Sequence, residues 1–158
     1  MNAAAQQFIE RIGIMWENEG LPRIAGRIFG FLFLQAEPCS LDDMAAALGV
    51  SKASVSTDAR RLEQLGLLER SGRPGDRRDY YQIAPDAAVR TLSMKLRGME
   101  RVRQTVATAR DLPGISPRVR ARFETFDQVH EMMAESITEL IERIQRAGLG
   151  SATTEAHS

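Results

Sequence analysis

Cysteine and long apolar runs are scarce in this chain of 158 residues. Cys39 is the sole cysteine, which excludes an intramolecular disulfide framework and a multi-cysteine zinc site. The most apolar run, residues 28–34, is far too short to cross a bilayer. Glu10 and Arg11 interrupt the N-terminal apolar residues, so no signal peptide is visible. We therefore expect a cytosolic protein without a membrane partner.

Net charge is also lacking, because 21 basic residues balance 21 acidic ones. That balance excludes a simple polycation, but it hides a basic middle. Residues 51–78 hold seven basic and four acidic side chains, and residues 86–110 hold six basic and two acidic ones. Hydrophobic residues make up 43% of the chain, as in ordinary globular proteins. The composition therefore indicates one globular domain with a local basic surface.

Apolar spacing predicts a mostly helical chain. Residues 3–19 place Phe8, Ile12, Met15 and Trp16 on one helical stripe. Residues 22–36 form a second helix that is apolar nearly all round, and its two glycines, four residues apart, would let another backbone approach closely. Further helices are predicted at residues 41–48, 51–65, 86–110 and 118–147, with two strands at residues 67–70 and 80–84.

The two short helices at residues 41–48 and 51–65 have the pattern of a helix-turn-helix. Ser40 and Ser51 are good N-caps, and Gly49 supplies a turn that often requires a positive φ. The second helix has an inward apolar stripe and an outward polar face. The inward residues are Val55, Ala59, Leu62 and Leu65. Asp58 stands near this stripe where an apolar residue is usual, within reach of Arg61 at i+3.

The outward face and the loop between the two strands are the candidate DNA contacts. Small residues near the start of the second helix allow close approach to base edges, and arginines further along reach guanines or phosphates. The candidate helix residues are Lys52, Ala53, Ser54, Thr57, Arg60 and Arg61. The candidate loop residues are Arg73, Arg77 and Arg78. The alternative is an ordinary helical hairpin with a solvated polar face. A strand, a basic hairpin and a second strand directly after the two helices favour a winged helix-turn-helix.

These segments resemble a known family. Residues 22–30 (PRIAGRIFG), 51–56 (SKASVS), 62–66 and 75–81 (GDRRDYY) are similar to the GbsR-like branch of the MarR-type bacterial transcription regulators. The resemblance implies a homodimer with two winged helices and a helical platform built from both chain ends. It implies a DNA-binding repressor or activator that a small molecule often tunes. It also implies that the wing arginine of the Asp76-Arg77-Arg78 element enters the minor groove.

The last predicted helix carries its own argument for dimerisation. Its apolar residues alternate at spacings of four and three, a heptad seam once His130 is allowed in it. Packing against the helix at 86–110 is the intramolecular alternative. A two-fold dimer predicts a pseudo-palindromic DNA site with half-sites about one helical turn apart. The candidate dimerisation residues are Phe123, Phe126, Met133, Ile137, Leu140 and Ile144.

Three other candidates have less support. Cys39 has no clearly cationic neighbour in the sequence, so a structural role is favoured over redox sensing. His130 lacks a second histidine in the folded part, so no metal site is expected. Phe8, Met15 and Trp16, with Phe126 and Met133, are candidates for an effector pocket, although aromatic residues at helical spacing are usually core.

The sequence shows no signal of an enzyme, since it has no phosphate-binding glycine loop and no nucleophile with a histidine base. We expect neither catalysis nor a cofactor. The predicted fold is mostly α (α+β), with a winged helix-turn-helix at 22–85, a helical dimerisation region at 3–21 and 86–147, and a disordered tail at 148–158. The predicted function is sequence-specific regulation of transcription by a DNA-bound homodimer. We expect this regulation to be repression, by occupancy of the operator. A winged-helix module that binds protein is the alternative.

Overall fold

The computed structural model describes residues 1–110 and 112–149, and it divides into two units, Met1–Ala87 and a second that begins at Ala88. The elements of the first unit are α1 (Ala3–Asn18), α2 (Arg23–Phe33), β1 (Cys39–Ser40), α3 (Leu41–Leu48), α4 (Lys52–Gln64), β2 (Leu68–Ser71) and β3 (Tyr80–Ile83). The other two are α5 (Ala87–Arg110) and α6 (Pro117–Arg146). The predicted fold class, mostly α with a small sheet and a winged helix-turn-helix, is confirmed.

Helices α1 and α2 pack closely because glycines at their contact have no side chain, as the spacing of Gly26 and Gly30 predicted. A Cβ on Gly26 would lie 2.9 Å from the Cα of Gly13. The buried residues of α1 are Ile9 and Gly13, whereas Met15 is 47% exposed. Met15, which the apolar spacing placed on the stripe, is therefore uncovered in the single chain. The close backbone approach at Gly13 turns the neighbouring face of α1 toward α2, and spacing alone does not specify that rotation.

The helix-turn-helix forms where the capping residues predicted it. Ser40 begins α3 with a capping box, because its hydroxyl accepts from the amide of Asp43 and the Asp43 carboxylate accepts from the amide of Ser40. Gly49 ends α3 at φ +64°, a left-handed conformation that suits glycine. Ser51 then caps α4 by accepting from the amide of Ser54. The local sequence therefore fixes both ends of the turn.

The core beneath α4 contains Val55, Ala59 and Leu62, all fully buried as predicted. Leu65 is only half-buried, since it is the C-cap of α4. Asp58 is also buried, with 7% of its surface exposed. A carboxylate therefore occupies part of the inward face of this helix.

The small sheet is antiparallel in the order β1-β3-β2. In the hairpin, Leu68 faces Ile83 and Ser71 faces Tyr80, one residue away from the predicted end of the first strand. Strand β1 was not predicted, because it has two residues, Cys39 and Ser40, and exists through pairing with Tyr81 and Tyr80 of β3. This third strand ties the start of α3 to the base of the hairpin.

The second unit is built from α5 and α6, which ion pairs connect. Arg103 Nε lies 3.8 Å from Asp127 Oδ1, and Arg110 Nη1 lies 3.5 Å from Asp127 Oδ2. Ser116 caps α6, and Pro117 occupies its first turn. No residue of α6 is buried within the chain. The disordered tail predicted at 148–158 lies outside the described residues from residue 150 onward.

Candidate nucleic-acid interface

The outer face of α4 is open to solvent. Lys52, Ala53, Thr57, Arg60 and Arg61 are exposed, and Ser54 is half-buried. The structure thus brings all six predicted helix residues onto one accessible face of the first unit. Small side chains lie toward the start of α4 and the two arginines lie one to two turns later, which suits a helix whose first turns enter a major groove.

Intramolecular contacts hold the cations of α4 in defined positions. Lys52 Nζ lies 2.9 Å from a carboxylate oxygen of Asp42 on α3. Arg60 donates to Ser56 Oγ at 2.7 Å. Arg61 lies 3.9 Å from Asp58, a loose pair with a mostly buried carboxylate. These pairs are exposed at the cation, so DNA phosphates can replace the partners at little free-energy cost.

The wing, residues 72–79 between β2 and β3, is organised around Asp76. Its carboxylate accepts from Arg78 Nη2 at 2.6 Å, from the Arg78 amide at 2.9 Å and from the Tyr80 hydroxyl at 2.8 Å. Hydrogen bonds from the Arg78 side chain and amide, and then from Tyr80, hold the pKa of Asp76 well below its usual range. Gly75, at φ +79°, lets the chain turn just before this site.

The three wing arginines differ in how they are held. The Arg73 guanidinium lies 4.2 Å from the centre of the Tyr80 ring and donates to the Pro38 carbonyl at 3.3 Å. Arg78 is fixed by Asp76. Arg77 is exposed, and within residues 1–110 and 112–149 it has no hydrogen-bond or ion-pair partner. Tyr80 orients this wing, a role that the sequence did not reveal because the contact depends on how the hairpin folds back.

Cys39 lies half-buried in β1, and burial raises the pKa of its thiol, with a further increase from Asp43. Arg73 lowers that pKa by a smaller amount. Cys39 therefore does have a cationic neighbour in the folded chain, contrary to the expectation from the sequence. A raised pKa keeps the thiol protonated near neutral pH, which supports the structural role.

The remaining candidates lie on other surfaces. The His130 ring stacks on Phe126 at 3.8 Å, and its Nδ1 lies 2.9 Å from the Phe126 carbonyl. In the part of the chain that the structure describes, no three histidine, cysteine, aspartate or glutamate residues form a metal site. Phe8 and Trp16 contact Phe33 and Phe29, with ring centres 6.3 and 5.0 Å apart. Their role in an effector pocket stays a prediction.

The predicted dimerisation residues lie along α6. Phe123, Phe126, Ile137 and Ile144 are half-buried in the single chain, while Met133 and Leu140 are 47% and 42% exposed.

Among the described residues, no helix is both long and apolar enough to span a bilayer.

A capped helix-turn-helix, followed at once by a basic two-stranded wing, defines a winged helix-turn-helix protein of the DNA-binding transcription-regulator class. The MarR family model matches residues 19–79, which include α2, the helix-turn-helix and the wing. The chain is 33% identical over 117 residues to the HTH-type transcriptional regulator MmpR5 of Mycobacterium tuberculosis, covering 73% of this chain and 71% of that protein. This chain therefore belongs to the MarR family.

Two further relatives agree with this assignment. The HTH-type transcriptional repressor OpcR of Bacillus subtilis is 28% identical over 83 residues, which are 52% of this chain and 45% of OpcR. A crystal structure of a transcriptional regulator, 28% identical, superposes with a TM-score of 0.74 over 90% of this chain and 99% of its own. These relatives are transcription regulators rather than enzymes.

Proposed function

We propose that the protein is a homodimeric repressor that occupies a pseudo-palindromic operator, with α4 in the major groove and the wing in the adjacent minor groove. The observation that carries this proposal is the placement of exposed cations on both α4 and the wing of one unit, in a chain with no net charge. A protein-binding winged helix does not need both sets. The motifs of residues 22–30, 51–56 and 75–81 support a place in the GbsR-like branch.

The second unit supports the homodimer. Helices α5 and α6 are 24 and 30 residues long, yet Ala87 is the only residue of either helix that is buried. Large apolar side chains such as Val102, Val129 and Met133 stay about half exposed. Helices with apolar stripes are stable when those stripes are covered, and a second copy covers them symmetrically. We place the protein in the cytoplasm, where it reaches chromosomal DNA.

The wing contact is tested with the double variant Arg77→Ala/Arg78→Ala. Fluorescence anisotropy compares a labelled duplex from the protein's own promoter region with a scrambled duplex at two salt concentrations. We expect wild type to prefer the promoter by about 10³-fold or more and to weaken as salt rises. The double variant should bind much more weakly. The slope of the logarithm of its binding constant against the logarithm of salt concentration should also be smaller in magnitude, by about one for each phosphate that the arginines no longer neutralise.

The matched control is Arg120→Ala/Arg122→Ala, which removes two exposed arginines from α6 and so gives the same net charge. It should bind nearly as wild type does. Equal affinities of the two double variants would contradict the wing contact. Weak and equal binding of wild type to both duplexes would instead favour a protein partner.

A further inference from the structure

The hydroxyl of Thr57, on the outer face of α4, is turned back onto its own helix. Its Oγ1 donates to the Ala53 carbonyl at 3.0 Å, one turn earlier. The Cβ of a threonine carries one hydroxyl and one methyl, and Thr57 is exposed. Because the hydroxyl is engaged, the methyl is the group that this side chain offers to a surface brought against α4.

Ala53 adds a second methyl group on the same face. It is exposed and lies one turn before Thr57, so the two side chains are neighbours on the helix surface. The hydroxyl of Ser54 is also engaged, 2.9 Å from Ser51 Oγ at the N-cap. The first turns of α4 therefore present a methyl patch, formed by Ala53 and Thr57, within an otherwise basic face.

We propose that the methyl patch recognises thymine: each copy of α4 places the Thr57 methyl, with that of Ala53 beside it, against the C5-methyl group of one or two adjacent thymines in an operator half-site. The thymine methyl is the apolar group of the major groove, and contact between methyl groups removes both from water. The cations around the patch contact phosphates or guanines and hold the helix in the groove. They are Lys52, Arg60 and Arg61.

The other bases are disfavoured at the position that the methyl patch contacts. Their major-groove edges carry amino, carbonyl or ring-nitrogen groups, which lose hydrogen bonds to water when a methyl group covers them. The Thr57 hydroxyl donates its one proton within the helix, so it is not a donor to N7 or O6 of a purine. This inference rests on the proposed operator binding, for which it names the base that α4 recognises.

The test compares two promoter duplexes that differ only in the thymine methyl group. One is synthesised with thymidine and the other with deoxyuridine, which pairs identically but lacks the C5 methyl. Burial of one methyl group corresponds to about fourfold in affinity. Because a symmetric dimer makes the contact twice, fluorescence anisotropy should show that wild type binds the thymidine duplex about 15-fold more tightly.

Two substitutions of Thr57 separate the roles of its methyl and its hydroxyl. Thr57→Ser keeps the hydroxyl and its hydrogen bond, so the preference for the thymidine duplex should fall to about fourfold or less, from the Ala53 methyl that remains. Thr57→Val keeps the methyl and should retain the full preference. The opposite pattern would show that the hydroxyl makes the base contact, and it would overturn the proposal.

Thr125→Ser is the matched control. Thr125 is exposed on α6 and, like Thr57, donates its hydroxyl to an alanine carbonyl one turn earlier, that of Ala121 at 3.0 Å. This variant should bind both duplexes as wild type does. Deoxyuridine placed at one thymine at a time should then locate the contact at symmetric positions, one or two in each half-site.

The outcomes separate this inference from the proposed function. Equal affinity of wild type for the thymidine and deoxyuridine duplexes, with the promoter still preferred to a scrambled duplex, overturns the thymine contact alone. A preference for thymidine that Thr57→Ser retains in full would place the effect in the shape of the duplex, and it would also overturn the contact. Failure to discriminate the promoter from the scrambled duplex contradicts the proposed function, and this inference with it.

Discussion

Asp58 has no close partner in the described chain, although it is nearly buried in a helix that faces the core. Its one ion pair, with Arg61, spans 3.9 Å. Burial raises the pKa of Asp58, and Arg61 offsets only part of that increase. Since the folded state binds this proton more tightly than the unfolded state, stability falls as pH rises through the folded-state pKa. Near neutral pH the ionised Asp58 therefore destabilises the fold.

We predict that Asp58→Asn raises the free energy of unfolding by roughly 1 kcal/mol near pH 7. The gain should be smaller at an acidic pH such as 4, because the raised pKa of Asp58 favours the protonated wild-type carboxyl as pH falls. Urea unfolding at both pH values measures it. Glu124→Gln, which neutralises an exposed carboxylate of α6, should change stability by less than about 0.5 kcal/mol. Lower stability of Asp58→Asn at both pH values would show that the carboxylate has a favourable partner.

Replacing Asp76 should change DNA affinity in the direction opposite to that expected from its charge alone. Removing an acidic group near DNA ordinarily strengthens binding, because the phosphates are negative. We predict that Asp76→Asn weakens operator binding several-fold, since Arg78 is then without the carboxylate that orients it. Because the pKa of Asp76 is depressed in the folded state, the carboxylate is ionised above its unfolded-state pKa and takes up a proton only in strong acid. The effect should therefore be constant through the neutral range.

The control for Asp76 is Asp79→Asn, which removes a wing carboxylate that pairs with Arg70 at 3.4 Å. Anisotropy should show unchanged or slightly stronger binding for it. If Asp76→Asn also strengthened binding, Asp76 would act only as a negative charge.

At the scale of elements, the contact between α1 and α2 depends on the absence of side chains. We predict that Gly26→Ala destabilises the protein by about 1–3 kcal/mol. Its Cβ would lie 2.9 Å from both the Gly13 Cα and the Ile12 carbonyl oxygen, and backbone atoms cannot move aside cheaply. Thermal or urea unfolding gives the value.

Gly98→Ala in α5 is the matched control. Its Cβ would meet only Arg101 Nη2, at 3.8 Å, so the helix gains propensity without a clash. We expect stabilisation of about 0.5–1 kcal/mol. Similar effects of the two substitutions would mean that the close approach of α1 and α2 is not essential.

At the scale of the whole molecule, the second copy in the proposed homodimer covers the apolar stripe of the second unit. We predict that Ile137→Lys converts this proposed dimer into a monomer, because a charge on the seam of α6 is not compatible with a dry interface. Light scattering after size exclusion measures the mass, and far-UV circular dichroism checks that helix content persists. Gln128→Lys, on an exposed position off the seam, should remain dimeric. A dimeric Ile137→Lys variant would exclude this seam from the interface.

Local sequence was sufficient to predict the helices, their caps and the order of helix-turn-helix and wing. Ser40, Gly49 and Ser51 act through neighbours three or four residues away, so their effect is readable without the fold. The pair Gly26 and Gly30 likewise predicted a close helix contact. Local chemistry of this kind also placed the candidate DNA contacts on one helix and one loop.

How those elements face each other follows from long-range contacts in the folded chain. These contacts turn Ile9 and Gly13 of α1 toward α2, and they make a strand of Cys39 and Ser40 by pairing them with β3. They also separate the wing arginines, because Asp76 and Tyr80 reach Arg78 and Arg73 but not Arg77. These outcomes depend on contacts between residues distant in sequence or across a folded loop, whose geometry no local spacing contains.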